Sequence, residues 1–253
     1  MTRVGVVMPT FNQHFHIGDA LHGLLGQSFT DFGLVVVVDG PDDGKTASEI
    51  DKLIPKFKEE SIPIEVLFLE ENTGTANALN VGHAEAIRMF GPEYLTWVSS
   101  DNVMFPAFLN VLVEYLDTNK DMPFVYSKYI RCAGRIEDGR WSTKSVRALR
   151  TISRPRKLIK TVNCYIGPSF LYRESLWEFV GDHRGNISHD YDWWLRAEEE
   201  CDFNYGFVDR QLCEYRVHSE RVTITRKEDN DASHWQAQAL RRRSCPEARK
   251  RQR

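Results

Sequence analysis

The apolar positions of the first hundred residues follow two alternating periods. Short continuous apolar runs, typical of parallel strands covered on both faces, occur at 4–10, 32–40, 64–71 and 94–101. Helical spacing separates them, at 16–27, 46–60 and 75–90. The second of these helices must kink or end at Pro55. A β-α-β-α-β-α-β order of this kind predicts an α/β fold, built on a mainly parallel sheet with right-handed crossovers.

Polar residues stand where three of these predicted strands end. Thr10, Phe11 and Asn12 follow the first strand, Asp39 ends the second, and Asp101 ends the fourth. Ligands of open parallel sheets bind outside the carboxyl ends of the strands. We therefore expect these side chains to lie together at a binding site, although each is also a common turn residue.

The second half of the chain has a weaker pattern. It predicts helices at 106–117 and 189–200 and strands at 124–130 and 205–218. Residues 131–160 are polar, basic and weakly periodic, which predicts a loop. We expect one domain over 1–225, with halves of about 1–102 and 103–225. A C-terminal helix and basic tail are expected at 226–253.

Composition indicates a globular cytoplasmic protein. The chain has 253 residues, and no apolar run approaches the roughly 20 residues of a membrane helix. The first residues lack the pattern of a signal peptide. The five scattered cysteines form neither a disulfide framework nor a zinc motif.

Charge is distributed unevenly along the chain. The formal net charge is −3, yet residues 241–253 carry seven Arg or Lys and one Glu, and 140–160 carry eight and no acid. Such blocks are either solvated segments or contacts for an anionic partner, such as nucleic acid, lipid phosphate or a membrane surface. Aromatic residues among the basic residues of 140–160 are limited to Trp141, so stacking on single strands is not indicated.

Seven motifs, in order, resemble those of one enzyme family over roughly residues 3–225: the inverting glycosyltransferases of family 2, with the GT-A fold. They are VGVVMPTFNQ, VVVVDGPDDGKT, NTGTANALNVGHAEA, WVSSDN, NCYIGPSFLYRESLWEFVG, HDYDWWLR and CEYRVHSERVT. The resemblance implies a Rossmann-like sheet flanked by helices. It also implies transfer of a sugar from a nucleotide-sugar donor, most simply a UDP-sugar, to an acceptor hydroxyl.

The resemblance also implies roles for particular residues. Those expected to bind the donor are Thr10, Phe11, Asn12, Asp39, Asn72, Asn80, Ser100 and Asp101. Asp101 and His218 would hold Mn²⁺ or Mg²⁺, and Asp190 would be the general base that takes the proton of the acceptor hydroxyl. Without the resemblance, His218 would be interpreted as an exposed loop histidine, and Asp190 as a helix N-terminal acid.

Three positions depart from the family pattern. Ser99 replaces the first aspartate of the Asp-x-Asp motif, Leu79 stands where an arginine usually meets the donor phosphates, and His189 replaces a glutamate. The loss of the first aspartate and of the arginine leaves open a pseudoenzyme that binds glycans or nucleotide sugars. The basic residues of 140–160 and of the tail leave open a transferase with a nucleic-acid acceptor. A glycan, lipid-linked or other anionic acceptor, and peripheral contact of the basic tail with the inner membrane surface, remain compatible with the sequence. A nucleotidyltransferase is disfavoured, because PTFNQHFHIGD is not a glycine-rich, lysine-bearing phosphate loop.

Overall fold

The computed structural model describes residues 2–42, 44–148, 166–185, 189–200 and 205–219. Its strands are β1 (Val4–Thr10), β2 (Phe32–Val38), β3 (Ile64–Phe68), β4 (Tyr94–Trp97), β5 (Val103–Met104), β6 (Phe124–Glu137), β7 (Arg140–Ala148), β8 (Phe170–Arg173) and β9 (Gly206–Val217). Its helices are α1 (Ile17–Leu25), α2 (Lys45–Asp51), α3 (Ile54–Glu59), α4 (Thr75–Phe90), α5 (Phe108–Thr118), α6 (Glu174–Val180) and α7 (His189–Glu200).

The sheet has a parallel half and a mixed half. Its strand order is β3-β2-β1-β4-β8-β6-β9-β5, with β7 paired to β6. Strands β1 to β4 pair in parallel, as the sequence predicts. Beyond them, β8 is antiparallel to both β4 and β6, and β9 is parallel to β6 but antiparallel to β5.

Two apolar cores cover the faces of the sheet. Side chains alternate between them along β1, with Val4, Val6 and Met8 in one core and Val7 in the other. Helices α1, α3 and α5 contribute to the first core, and α4, α6 and α7 to the second. Every residue of β2 is buried, which explains its continuous valine run.

Proline divides the second predicted helix, as expected. Helix α2 ends at Asp51, and α3 begins at Ile54 with Pro55 in its first turn. Proline is tolerated there because the first-turn N–H groups have no partner within the helix.

The loop predicted at 131–160 is wrong for residues 131–148. Strand β6 continues to Glu137, and β7 returns antiparallel to it through a two-residue turn. Asp138 and Gly139 have φ angles of 51° and 74°, the left-handed pair of a type I′ hairpin. The Asp-Gly dipeptide was the available signal for this hairpin. The remainder of the predicted loop, and the C-terminal helix and tail, lie outside the described residues.

Within the described residues, no helix is both long and apolar enough to cross a membrane.

We predict that Gly82→Ala destabilises the protein. A Cβ at Gly82 would lie 2.3 Å from Val7 Cγ1 and 3.0 Å from Val37 Cγ2, so α4 would have to move off the sheet. Overpacking of this kind costs about 1–3 kcal/mol, partly offset by about 1 kcal/mol of helix propensity. Urea unfolding should therefore show a net loss in the free energy of unfolding.

Gly18→Ala is the matched control. Gly18 lies in α1, where an added Cβ would meet only Glu49 Oε2 at 4.0 Å. The same substitution should there leave stability unchanged or raise it by up to about 1 kcal/mol. Equal effects of the two variants would contradict the close approach of α4 to β1.

Candidate functional site

The carboxylate of Asp39 holds the loop that begins α4. Its Oδ1 accepts hydrogen bonds from the Thr73 N–H at 2.8 Å and the Thr73 hydroxyl at 2.9 Å, and Oδ2 accepts from the Gly74 N–H at 2.9 Å. Asn72 donates its side-chain N–H to the Asp39 carbonyl oxygen at 3.0 Å. Asp39 is buried, and most of its acceptor capacity serves the loop. Asp39 and Asn72 therefore shape this edge of the site together.

Buried polar atoms without a hydrogen-bond partner gather where β1 ends, next to Asp39, whose N–H donates to the Thr10 carbonyl oxygen at 2.9 Å. At the end of β1 and in the loop that follows, they include Thr10 Oγ1, Gln13 Oε1, His14 Nδ1 and both ring nitrogens of His16. Burying such atoms unpaired costs about 1–3 kcal/mol each, so a ligand or water is their natural partner. This loop follows the carboxyl end of β1, where ligands of open α/β sheets bind.

Phe11, Asn12 and Ser100 border the same region. Phe11 is 37% exposed, and Asn12 has a φ of 53°, in the left-handed region that asparagine tolerates better than most residues. Ser100 is buried next to Asp101, at the turn that follows β4. The predicted clustering of Thr10, Asp39 and Asp101 agrees with the strand pairing, because β1 lies between β2 and β4.

The side chains of Asp101 and His218 are in contact, although the two residues follow different strands. His218 Nε2 lies 3.2 Å from Asp101 Oδ2, and the His218 side chain is only 3% exposed. Neighbouring ligands of an octahedral divalent cation, each about 2.1 Å from it, lie about 3 Å apart. The pair therefore fits as two ligands of one cation. Among the described residues, no group of three or more His, Cys, Asp or Glu side chains is placed to hold a metal ion.

Three further residues enclose this pair, and the sequence alone did not single them out for this role. The His16 and His218 rings lie 4.4 Å apart between centroids, and Trp141 of the hairpin lies 5.6 Å from His16. Arg216 lies over the Trp141 ring at 5.1 Å. Burial, and then the nearby His218, lower the pKa of His16 to about 4. His16 is visible in the sequence within PTFNQHFH, but only the fold brings it against His218.

Arg216 is neutralised by two carboxylates. It donates to Asp19 Oδ2 at 2.7 Å and to Glu214 Oε1 at 2.9 Å. Its backbone N–H donates to Asn102 Oδ1 at 3.0 Å, which ties the end of β9 to the turn beside Asp101. This network sets the approach of His218 to Asp101.

Asn80 connects α4 to the loop before α7. Its amide donates to the His183 carbonyl oxygen at 3.1 Å and accepts from the His183 N–H at 2.8 Å. The expected donor contact of Asn80 remains a prediction, because this amide is engaged with backbone in the structure. The His183 ring is buried, Nδ1 to Nδ1 3.4 Å from His189, and burial lowers the pKa of both histidines.

The two acids in the first turn of α7 differ in their surroundings. Asp192 is buried and accepts a hydrogen bond from Arg196 Nε at 3.0 Å, while Arg196 also donates to the Asp182 carbonyl oxygen at 2.6 Å. Asp190 is partly exposed, and its Oδ1 accepts from the Tyr191 N–H at 2.7 Å. The buried indoles of Trp193 and Trp194, from the same turn, both pack against Trp97.

The fold is that of the GT-A glycosyltransferases. The mannosyltransferase PcManGT from Pyrobaculum calidifontis, solved with GDP-Man and Mn²⁺, matches with a TM-score of 0.66 at 17% identity, covering 94% of this chain and 64% of that one. S. aureus TarS 1-349 in complex with UDP-GlcNAc matches with a TM-score of 0.64 at 18% identity, covering 94% and 70%. The chain spans 42% of the longer TarS structure.

The chain belongs to glycosyl transferase family 2, whose family model matches residues 5–180, and it is a glycosyltransferase. Curated relatives are also named as glycosyltransferases. An uncharacterized glycosyltransferase of Methanocaldococcus jannaschii is 21% identical over 85% of this chain and 70% of its own length. The O-antigen biosynthesis glycosyltransferase WbnJ of Escherichia coli is 24% identical over 85% and 80%.

We predict that Asp39→Asn lowers stability in the absence of any donor. The NH₂ group of asparagine cannot accept, so at least one N–H of Thr73 or Gly74 loses its partner. The expected loss in the free energy of unfolding is about 1–3 kcal/mol, measured by urea unfolding.

Asp209→Asn serves as the control for this substitution. The Asp209 side chain is 72% exposed and pairs with Lys128 at the surface, so its effect should stay within about 0.5 kcal/mol. A stability of Asp39→Asn equal to that of Asp209→Asn would show that the hydrogen bonds to this loop are dispensable.

Proposed function

We propose that this protein is a metal-dependent inverting glycosyltransferase that moves a sugar from a nucleotide-sugar donor, in the first place a UDP-sugar, to an acceptor hydroxyl. The observation that carries the proposal is the group of unpaired buried polar atoms at the end of β1 and in the loop after it, where Thr10 pairs with Asp39 through the backbone. Two structures of similar fold hold a nucleotide sugar, UDP-GlcNAc in TarS and GDP-Man in PcManGT.

In this proposal the donor base and ribose lie along the ends of β1 and β2. The half-exposed Phe11 ring offers a face to the base, and the remaining lone-pair capacity of Asp39 selects a base edge that donates, as the imide N–H of uracil does. Thr10 Oγ1, which has no partner, supplies a further polar contact. Asn12, Asn72, Asn80 and Ser100 complete the set of expected donor contacts.

Asp101 and His218 are the residues that would hold Mn²⁺ or Mg²⁺. Their 3.2 Å separation fits neighbouring ligands of one cation, and the PcManGT structure contains Mn²⁺ with its donor. Bound there, the cation would supply Lewis-acid stabilisation of the leaving diphosphate. This role matters because Leu79 stands where the family usually has an arginine, and Ser99 replaces the first aspartate.

Asp190 is the proposed general base. Inverting transfer requires a group that removes the proton from the acceptor hydroxyl as its oxygen attacks the anomeric carbon, and a carboxylate within hydrogen-bond reach can do so. Asp190 is partly exposed, whereas Asp192 is buried against Arg196. Of these two carboxylates, only that of Asp190 is therefore accessible to the acceptor hydroxyl.

We propose a growing glycan or a lipid-linked sugar as the acceptor. The E. coli relative is named for O-antigen biosynthesis, and a relative in Bacillus subtilis for teichuronic acid biosynthesis. The buried free thiols of Cys132 and Cys213 are consistent with action in the reducing cytoplasm. We assign the activity to one domain over residues 1–225.

The test is a screen of UDP-, GDP- and dTDP-sugars, each with Mn²⁺, Mg²⁺ or EDTA. We expect a metal-dependent rise in melting temperature with a UDP-sugar, together with slow release of UDP. With an acceptor, proton NMR should show inversion at the anomeric carbon. Donor binding without turnover on any acceptor would favour the pseudoenzyme, and a response to no donor would overturn the proposal.

Substitution of the base separates binding from chemistry. We expect Asp190→Asn to lower turnover by about 10³-fold or more while the donor dissociation constant changes little, because the amide keeps the shape but cannot take the proton. The measurements are single-turnover kinetics and calorimetric titration of the donor.

Asp192→Asn is the matched variant, two residues further along the same helix. It weakens a buried ion pair with Arg196, so its main effect should be on the free energy of unfolding. Near-normal turnover in Asp190→Asn would exclude this residue as the base.

A further inference from the structure

All the arginines of the β6–β7 hairpin lie on one of its two faces. Side chains alternate between the faces along a strand, and residues paired across two strands share a face. The register pairs Arg131 with Arg147 and Glu137 with Arg140, and Arg135 is two residues before Glu137 on β6. We call this side of the hairpin the arginine face; its positions are Arg131, Ala133, Arg135, Glu137, Arg140, Ser142, Ser145 and Arg147.

The opposite face of the hairpin packs against the site described above. It includes Cys132, which is 2% exposed, and Trp141, whose ring lies 5.6 Å from that of His16. Arg216, which pairs with Cys132 across β9, lies over the Trp141 ring. The arginine face is therefore the outer surface of the hairpin, and it adjoins the proposed active site.

The hairpin has more positive charge than its own acids neutralise. Residues 131–148 contain five basic and two acidic side chains, in a chain whose net charge is −3. Three of the four arginines are exposed, and Arg131 is half-buried. Glu137 forms ion pairs with Arg135 and Lys144. The other three arginines of the arginine face have no ion pair within the part of the chain that the structure describes.

Arg131 and Arg147 form a pair of like charges. They are directly opposite each other on β6 and β7, an arrangement that places Cβ atoms about 5 Å apart. Like charges at this position destabilise a strand pair, so an anion bound between them would remove an unfavourable interaction. Guanidinium groups bind the oxygens of carboxylate and phosphate in bidentate geometry. The two arginines thus provide donors for one anionic group.

The arginine face is long and narrow, with two aromatic rings at its inner end. From Arg131 to Glu137 it extends about 20 Å, at about 3.3 Å per residue of a strand. Tyr215 of β9 pairs with Arg131 and so lies on the same face, and the Tyr129 ring is 5.7 Å from that of Tyr215. Tyrosine combines an apolar ring with a polar hydroxyl, which suits contact with sugar rings. A surface of this shape fits an extended chain that carries both anionic groups and sugars.

We propose that the arginine face binds an anionic glycan, which is the acceptor chain whose hydroxyl receives the sugar. The inference rests on the proposed function, and it narrows the acceptor to glycans that carry phosphate or carboxylate groups.

Two other anionic partners fit this surface less well. A membrane-binding surface usually inserts large apolar side chains into the interface, and the arginine face has none. The exposed Val146 pairs with Cys132 and lies on the opposite face. Domains that bind nucleic acid are typically strongly basic, whereas this chain has a net charge of −3.

The experiment measures binding of fluorescently labelled dextran sulfate to the full chain by anisotropy, in EDTA, beside labelled dextran of the same length. The two probes share a glycan backbone and differ in charge. We expect binding of dextran sulfate alone, and weaker binding as salt is added, because exposed charges are screened. The double variant Arg131→Gln/Arg147→Gln should bind dextran sulfate at least tenfold more weakly and with a smaller dependence on salt.

Lys56→Gln/Lys58→Gln is the charge-matched control. It removes two exposed cations from α3, which packs beside β3 at the edge of the parallel half of the sheet. The affinity for dextran sulfate should stay unchanged. Circular dichroism establishes that each variant is folded. Arg140→Gln/Arg147→Gln, which changes only exposed side chains of β7, replaces the first double variant if that one does not fold.

Equal binding of dextran and dextran sulfate by the native protein would overturn the proposal, as would equal affinities of the arginine variant and the lysine control. Tighter binding of a DNA duplex, or of vesicles of phosphatidylglycerol and phosphatidylcholine, at the same concentration of anionic groups would overturn the assignment to a glycan. The proposed function fails separately. No release of UDP from any UDP-sugar, with dextran sulfate still bound through the arginine face, would overturn that function and leave the anionic-glycan surface in place.

Discussion

The central position of β1 is the constraint on which the site depends. β1 pairs in parallel with β2 along its whole length and with β4 on the other side. Their carboxyl ends therefore open at one edge, which brings Thr10, Asp39 and Asp101 to the same place. The close approach of α4 at Gly82 keeps this arrangement tight, because there is no room for a side chain between the helix and Val7.

The site is assembled from two halves of the sheet that are linked by polar contacts. Asn102 accepts the N–H of Arg216, and Asn80 binds both backbone groups of His183. The first contact places His218 beside Asp101, and the second holds the backbone of His183 against α4. Both asparagines hold backbone groups of another segment, Arg216 and His183, in place. This role differs from direct contact with a ligand.

The β6–β7 hairpin adds a structural element beside the Asp101–His218 pair. Gly134 allows the Trp141 ring to pack across the hairpin, since a Cβ there would lie 2.6 Å from the indole. The Trp141 ring packs edge-on against the His16 ring, and the Arg216 guanidinium lies over the face of Trp141. The hairpin thus shapes the surroundings of the Asp101–His218 pair, although its basic residues by themselves suggested a surface for an anionic partner.

The sequence by itself determined the parallel half of the fold, and it predicted which polar residues stand at the ends of those strands. Its valine-rich runs and polar strand ends are local signals, and burial on both faces of a parallel sheet leaves little else for such runs to form. The break at Pro55 followed in the same way from the proline ring. The hairpin after residue 131 was missed because its strands are polar, and only the Asp-Gly turn marked it.

Tertiary structure alone decided which side chains meet. Residues 16, 101, 141 and 218 are far apart in the chain, and no periodicity reports the distance between them. Pairing of β9 with both β5 and β6 brings His218 to Asp101, and the hairpin turn brings Trp141 to His16. Contacts of this kind depend on strand order and register, which are properties of the whole sheet and not of any one segment.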